Sequence, residues 1–320
     1  MPKVSVLVPV YGVEKYIERC ARSLFEQTLD DIEFIFVDDC TPDRSMQVLM
    51  GLLNEYPRRK SQVKIIRHET NQGLPAARQS GLKIATGEYI AHCDSDDWVD
   101  IDLYECLYRK AVSENLDVTI FHCKTIDGDR IVSETAGGYR INKIDCINDM
   151  MRGKMWWSLC NKMIKKTVYS NQIYYPKDGM GEDMCLTLQL FYYCERIGYV
   201  DKYYYYFINS HSIIQHLTEE KCLSKFYQII RNVEIVKGFY RSNKSFVKGL
   251  HYLEYNTKFT LLPALGNKEI YSLWKQTYKG CELKVATDTN VRIKDRVKAF
   301  LSAIGLYPFP RDKYGYLLNN

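Results

Sequence analysis

Residues 4–39 read VSVLVPVYGVEKYIERCARSLFEQTLDDIEFIFVDD, and this stretch decides the fold. Its ends, VSVLVPV (4–10) and IEFIFV (32–37), are unbroken apolar runs of strand length, the pattern of parallel strands buried on both faces. Between them Val13, Tyr16, Ile17, Cys20 and Leu24 recur at helical spacing on one face. The rhythm continues outward. A helix over roughly 45–56 leads to a strand VKIIRH (63–68) and a turn at NQG (71–73); a helix from Pro75 to about Thr86 then leads to a strand EYIAHC (88–93). Pro75 suits a first helical turn, where its missing N–H costs nothing. The order β-α-β-α-β-α-β predicts an α/β fold with a mainly parallel sheet.

Past Trp98 the rhythm loosens. A helix near 102–115 and a strand DVTIFHC (117–123) are readable, and 124–180 is polar and irregular. A helix starts near Glu182, a tyrosine-rich strand YVDKYYYYFI covers 199–208, and 219–304 reads as helices only. The chain of 320 residues thus divides into a region 1–210, with a first half 1–97 and a second half 98–210, and a helical region 211–320. A hydrophobic content of 46% and a charged content of 26% are those of an ordinary soluble protein. A formal net charge of +5 is too small and too dispersed to argue for nucleic acid, and no such partner is expected. The eleven cysteines contain no C-x-x-C pair and several fall on apolar faces, so they read as reduced thiols in a cytoplasmic compartment. The apolar run near Lys3 is too short for a signal-peptide core, and no run approaches the ~20 residues of a spanning helix.

Ligands of open α/β sheets bind at the carboxyl ends of strands. Three segments converge there: PVYG (9–12), VDDCTPDRS (37–45) and DSDDW (94–98). Asp94, Asp96 and Asp97 within four positions repel one another unless a cation or water neutralises them. A carboxylate cluster at a strand end suits Mg²⁺ or Mn²⁺, which takes one or two protein oxygens and leaves the rest to water and phosphate. The plainer reading of the same residues is a solvated acidic turn.

PVYGVEKYIERCARSLFEQTLDDIEFIFVDDCTPDRS followed by NQGLPAARQSGLKIATGEYIAHCDSDDWVD resembles a family 2 glycosyltransferase, over roughly residues 2–100. The resemblance implies the GT-A nucleotide-diphospho-sugar transferase fold, here with a helical C-terminal extension. It implies inverting transfer of one sugar from a nucleotide-diphosphate sugar, a UDP-sugar by expectation, to a hydroxyl of a glycan or lipid-linked acceptor in bacterial surface-polysaccharide synthesis. Asp39 matches the acid that hydrogen-bonds the base, with Pro9, Val10 and Tyr11 lining the same pocket. Asp94 and Asp96 match the D-x-D motif, Asp96 as metal ligand and Asp94 facing ribose or metal, with Ser95 between them among the donor contacts. Arg78 matches the A-R-N arginine near the diphosphate. Glu182 and Asp183, in GMGEDMCL, match the E-D pair that supplies the base, Asp183 taking the acceptor's proton. Acids in a helix's first turn are favoured in the ionised form by the helix dipole. His211, in NSHSIIQH, falls where a flap histidine touches diphosphate or metal, and Trp156 and Trp157 read either as acceptor-stacking rings or as core.

Two departures stand out: Gly12 where the family has Asn, and Gln79 where it has the Asn of A-R-N. Q-x-x-R-W is absent, which favours single addition over polymerisation. The chain lacks G-x-G-x-x-G, a P-loop, H-E-x-x-H and G-x-S-x-G. The competing readings are an inactive nucleotide-sugar or carbohydrate-binding protein of the same fold, and a sugar nucleotidyltransferase. Finally Val291, Ile293, Val297, Phe300, Leu301 and Ile304 form a helical stripe beside Arg292, Lys294, Arg296 and Lys298. It reads either as an interfacial segment making peripheral contact with the inner face of the cell membrane or as packing on the catalytic domain.

Overall fold

Every residue of β1 (Val4–Val10) and of β2 (Ile32–Asp38) is buried, as two unbroken apolar runs require. A computed structural model of the chain describes residues 1–135, 141–208 and 218–307. Of these, the residues within 1–143, 158–179 and 190–212 form one unit, and those within 144–157, 180–189 and 213–320 form a second.

The first unit is built on a nine-stranded sheet. Its order is β3 (Val63–Arg67), β2, β1, β4 (Tyr89–His92), β8 (Lys162–Lys165), β6 (Val118–Asp127), β9 (Ile197–Phe207) and β5 (Trp98–Val99), with β7 (Arg130–Glu134) paired to β6. β3, β2, β1 and β4 are parallel, joined by α1 (Ile17–Phe25), α2 (Ser45–Leu53) and α3 (Leu74–Ile84). β8 runs antiparallel to both β4 and β6, β9 parallel to β6, and β5 antiparallel to β9, with α4 (Leu103–Ser113) between β5 and β6 in sequence. The segment 124–180, which the sequence left irregular, therefore contains β7, α5 (Lys143–Met151) and β8. β8 is only four residues, KMIK, and carries two lysines, so its pattern gave no strand signal. β2 and β3 lie on one side of β1 and β4 on the other, so the strand order reverses at β1/β4, where such sheets open a ligand crevice.

At the amino ends of these strands Glu33, 3% exposed, ties β1, β2 and the entry to β4 together. Its carboxylate accepts from Ser5 Oγ, from Thr86 N at 2.6 Å and from Gly87 N at 3.2 Å, and pairs with Lys64 at 2.6 Å. Gly87 is fixed by close approach, since a Cβ there would sit 2.6 Å from Ser5 N. Burial pushes the Glu33 carboxyl up, but Lys64, Ser5 and Thr86 outweigh it and hold the pKa below the usual value. A depressed native pKa adds stability above the unfolded-state value, and that stability is lost as pH falls through the native one. Glu33→Gln is therefore expected to unfold about 1–3 kcal/mol more easily at neutral pH. The gap to wild type should close on acidification, as read from urea midpoints across pH.

The second unit is helical. It takes most of α5, the first two turns of α6 (Glu182–Tyr193), and α7 (Glu219–Tyr240), α8 (Val247–Thr257), α9 (Lys268–Gln276), α10 (Cys281–Thr287) and α11 (Ile293–Ala303). One of its cores gathers Cys222, Phe226, Leu261, Leu265, Ile270 and Trp274; another gathers Tyr252, Tyr255, Cys281, Val285, Val291 and Ala299. Two ion pairs are buried in it, Arg152–Asp288 at 3.0 Å and Lys258–Glu282. The C-terminal stripe divides: Val291 is buried and Leu301 partly buried, whereas Ile293, Val297, Phe300 and Ile304 are exposed. All eleven cysteines are free thiols, nine of them buried. Among the described residues no helix is long and apolar enough to cross a membrane.

Candidate functional site

In the first unit Tyr11, Asp39 and Asp94 follow the carboxyl ends of β1, β2 and β4 about the strand-order reversal, and Arg78 on α3 pairs with Asp94. β1 pairs with β4 only through Leu7↔His92, and Cys93 N donates to Leu7 O at 3.0 Å before the chain turns away. Beyond that point β1 keeps only β2 as neighbour, so Pro9 sits in the strand without depriving β4 of a donor. Pro9 and Val10 are buried, so of PVY only Tyr11 exposes its side chain, at 51%; Val10 contributes its carbonyl, which accepts from Asp39 N at 3.1 Å.

Gly12 has φ +70° and donates its N–H to Thr41 Oγ1 at 2.9 Å. Left-handed backbone favours Gly and tolerates Asn, which gives the departure at this position a conformational reason. Asp43 completes the stitch between the two loops, accepting from Glu14 N at 2.9 Å and from Ser45. Its burial works upward on its pKa, but the hydrogen bonds from Ser45, Glu14 and Thr41 hold it low.

Asp39 is 3% exposed and already well occupied. Its Oδ1 accepts from Gln72 N at 2.8 Å and lies 2.7 Å from His68 Nδ1; its Oδ2 accepts from Gly73 N at 2.8 Å. His68 in turn lies 2.9 Å from Ser80 Oγ on α3 through Nε2. Asp39 thus sets the 72–73 loop and the start of α3, the helix that carries Arg78. Oδ2, with one donor on it, keeps capacity for another. His68 escaped sequence reasoning; its place at the end of β3, beside the end of β2, was the available signal.

Arg78 is buried at 3% and donates from Nη2 to Asp94 Oδ1 at 2.7 Å. Gln79, its neighbour, lines a separate groove of about 290 Å³ with Leu82, Lys83, Lys166, Tyr169, Ser170 and Tyr175. The acid turn is braced from β9 and α1. Asp94 N donates to Tyr204 Oη at 3.0 Å, Tyr204 Oη donates to Asp97 Oδ2 at 2.5 Å, and Phe207 N donates to Asp97 Oδ1 at 2.7 Å. Asp97 is fully buried, and burial together with Asp96 and Asp94 pushes its pKa well up. Both its oxygens are spent on β9, which makes it the brace of the turn rather than an outward ligand. Arg19 donates to the Asp96 carbonyl at 3.1 Å, with its guanidinium 3.7 Å over Trp98 and 4.5 Å over Phe207. Burial lowers its pKa. Trp98 stacks on Tyr205, ring centroids 5.2 Å apart. Ser95 is buried at 5%.

Among the described residues no group of three His, Cys, Asp or Glu side chains could hold a metal ion. The donor set still suits a hard cation of the Mg²⁺ or Mn²⁺ type, which needs only one or two carboxylates plus phosphate and water. Asp96 and Asp94 would supply them. His211 lies outside the described residues.

Glu182 and Asp183 open α6 in the second unit. Gly181 before them has φ +73°, a left-handed turn no larger residue takes cheaply, and Cys185 N donates to its carbonyl at 3.0 Å. α7 holds that turn: Asn232 Nδ2 donates to Met180 O at 2.8 Å, and Met180 N donates to Gln228 Oε1 at 3.2 Å. Glu182 is 4% exposed while Asp183 is only partly buried, so Asp183 is the more open acid. Trp156 and Trp157 belong to the same unit and are partly buried.

Comparison with known proteins gives the family and the fold. Residues 5–173 match the model of glycosyl transferase family 2. EpsH of Bacillus subtilis (strain 168) is 33% identical over 222 residues, 67% of this chain and 63% of that protein. TarS of Staphylococcus aureus (strain Mu50 / ATCC 700699), a poly(ribitol-phosphate) beta-N-acetylglucosaminyltransferase, is 28% identical over 243 residues, 73% of this chain and 40% of that protein. The chain thus spans less than two thirds of either relative. The crystal structure of S. aureus TarS 1–349 with UDP-GlcNAc superposes with a TM-score of 0.61 at 19% identity, covering 98% of this chain and 92% of that one. A mannosyltransferase from Pyrobaculum calidifontis, in complex with GDP-Man and Mn²⁺, gives 0.53 at 15% identity, covering 99% and 79%. The fold is that of these enzymes, the GT-A fold expected from the sequence, with helices after the sheet unit.

Proposed function

The chain belongs to glycosyl transferase family 2, and from that premise we propose that it is an inverting glycosyltransferase. It moves one sugar from a nucleotide-diphosphate donor, a UDP-sugar, to a hydroxyl of a growing bacterial surface glycan such as capsule, lipopolysaccharide or cell-wall polymer. The observation that carries the reading is the Arg78–Asp94 pair at the β1/β4 reversal, with Tyr11 and Asp39 following the ends of β1 and β2. UDP-GlcNAc in the TarS complex supports the UDP donor, and GDP-Man with Mn²⁺ in the mannosyltransferase supports a metal. In this reading 1–210 is the catalytic region, 1–97 for the donor and 98–210 for the acceptor, and 211–320 is the helical region. It works in the cytoplasm, on acceptors presented at the inner membrane face.

Each residue then has a task. Tyr11 and Asp39, with Pro9 and Val10 behind them, receive the base; Arg78 faces the diphosphate and orients Asp94; Ser95 lies in the turn between the two acids. Asp96 and Asp94, with His211, would hold Mg²⁺ or Mn²⁺, which when bound neutralises charge developing on the departing diphosphate. Asp183 takes the proton of the acceptor hydroxyl while that oxygen attacks the anomeric carbon from the side opposite the nucleotide, inverting it. Glu182, beside it, is the other acid of the catalytic pair.

Calorimetric titration of UDP, GDP and CMP, each with and without Mn²⁺, tests the donor half. UDP binding that needs Mn²⁺ and weakens in Asp96→Asn is the expected result, by about tenfold or more for loss of a charged contact. Preference for GDP would change the donor. Absence of nucleotide binding would overturn the reading in favour of a carbohydrate-binding protein of the same fold.

A further inference from the structure

α11 is built the wrong way round for a helix that only packs on its own unit. It offers the core Ala299 and part of Leu301, while other large apolar residues of the helix and its C-cap face outward: Ile293 is 76% exposed, Val297 52%, Phe300 51% and the capping Ile304 51%. A helix turns once in about 3.6 residues, so these four stack into one row. Lys294 and Lys298 fall along one side of that row; Arg296, on the other, donates from Nε to the Ala286 carbonyl at 3.0 Å. The acid of the helix, Asp295, is turned from solvent and paired with Arg292 at 2.9 Å. Leu306, just beyond, adds another exposed apolar side chain, at 48%. Scattered exposed apolar residues need no explanation, but a contiguous row rimmed by cations marks an interaction surface.

We propose that the Ile293–Val297–Phe300–Ile304 row of α11 docks on an anionic lipid bilayer. The charge pattern selects this occupant. An apolar row with a lysine flank matches a leaflet whose acyl boundary takes the row while its anionic headgroups meet Lys294 and Lys298. A second copy of the chain fits worse, because a two-fold contact along this row would set the same lysines against one another. The inference deepens the membrane-proximal part of the proposed function, and its test reads lipid binding apart from catalysis.

The experiment is flotation of the full chain with vesicles of phosphatidylcholine alone and of phosphatidylcholine with phosphatidylglycerol. Flotation with the anionic vesicles that falls with added salt is expected. The pair Val297→Glu/Phe300→Glu should cut it by about tenfold or more, having lost two apolar anchors and gained two repelled charges. UDP affinity and the helical circular-dichroism signal should be unchanged, the latter showing that the helical unit of the variant is folded. No flotation of wild type with anionic vesicles, or equal flotation of the variant, overturns the proposal. So does a dimer in size-exclusion chromatography that the variant abolishes, since the row would then belong to a second copy. Loss of UDP binding with flotation intact would instead count against the donor reading alone.

Discussion

Asp183→Asn is expected to bind donor nucleotide as wild type does and to turn over on the order of 10²–10⁴ more slowly. The substitution is isosteric, and an amide can still accept a hydrogen bond in the first turn of α6, so the helix start survives. What it cannot do is take a proton. Glu182 is the alternative base, but it is 4% exposed, and removing its charge should show first in stability. The assay is turnover with saturating donor beside calorimetric UDP affinity. Wild-type turnover in Asp183→Asn would move the base elsewhere, and a matching loss of UDP affinity would mean the residue supports the fold or donor instead.

Glu282→Gln is expected to destabilise the helical unit by about 3–5 kcal/mol, because it leaves a buried lysine without its counter-ion. Lys258 is fully buried and Glu282 is 7% exposed. The Lys258 Nζ donates to Glu282 Oε1, Gly280 N donates to Glu282 Oε2 at 3.2 Å, and the ammonium lies 5.4 Å from the Trp274 ring. Gln keeps the shape and one acceptor but not the charge. Replacing both partners, Lys258→Met with Glu282→Leu, should recover most of the loss, since an apolar pair avoids the cost of desolvating two ions. Urea midpoints of the three proteins check both statements. A Glu282→Gln midpoint at the wild-type value would show that water or another group already neutralises Lys258.

The parallel half of the sheet was legible because its code is local. VSVLVPV and IEFIFV announce buried strands, and Val13, Ile17, Cys20 and Leu24 announce the helix between them. The later strands were less so. β7 is exposed throughout and β8 is four residues long, so neither carries a burial pattern strong enough to read. The same contrast divides the site. Asp39, Arg78, Asp94 and Asp96 stood out by motif and by their place after strands. What braces them did not: Tyr204 reaches Asp94 across 110 residues and Asp97 across 107, and Arg19 reaches Asp96 across 77. No spacing rule in one sequence links such pairs. His68 was nearer to view, at the end of a strand already identified, but only the register of β2 with β3 turns it toward Asp39.

The chain passes between its two units more than once: 144–157 and 180–189 belong with the helices although sheet-unit segments flank them on both sides. A single crossover in the gene therefore cannot exchange the helical unit of one such protein for that of another. It would import α7 while leaving behind the Met180 turn that Gln228 and Asn232 hold. Diversification of this architecture by recombination is thus constrained to grafts of three segments at once, and drift within the segments is the easier route to a changed helical unit.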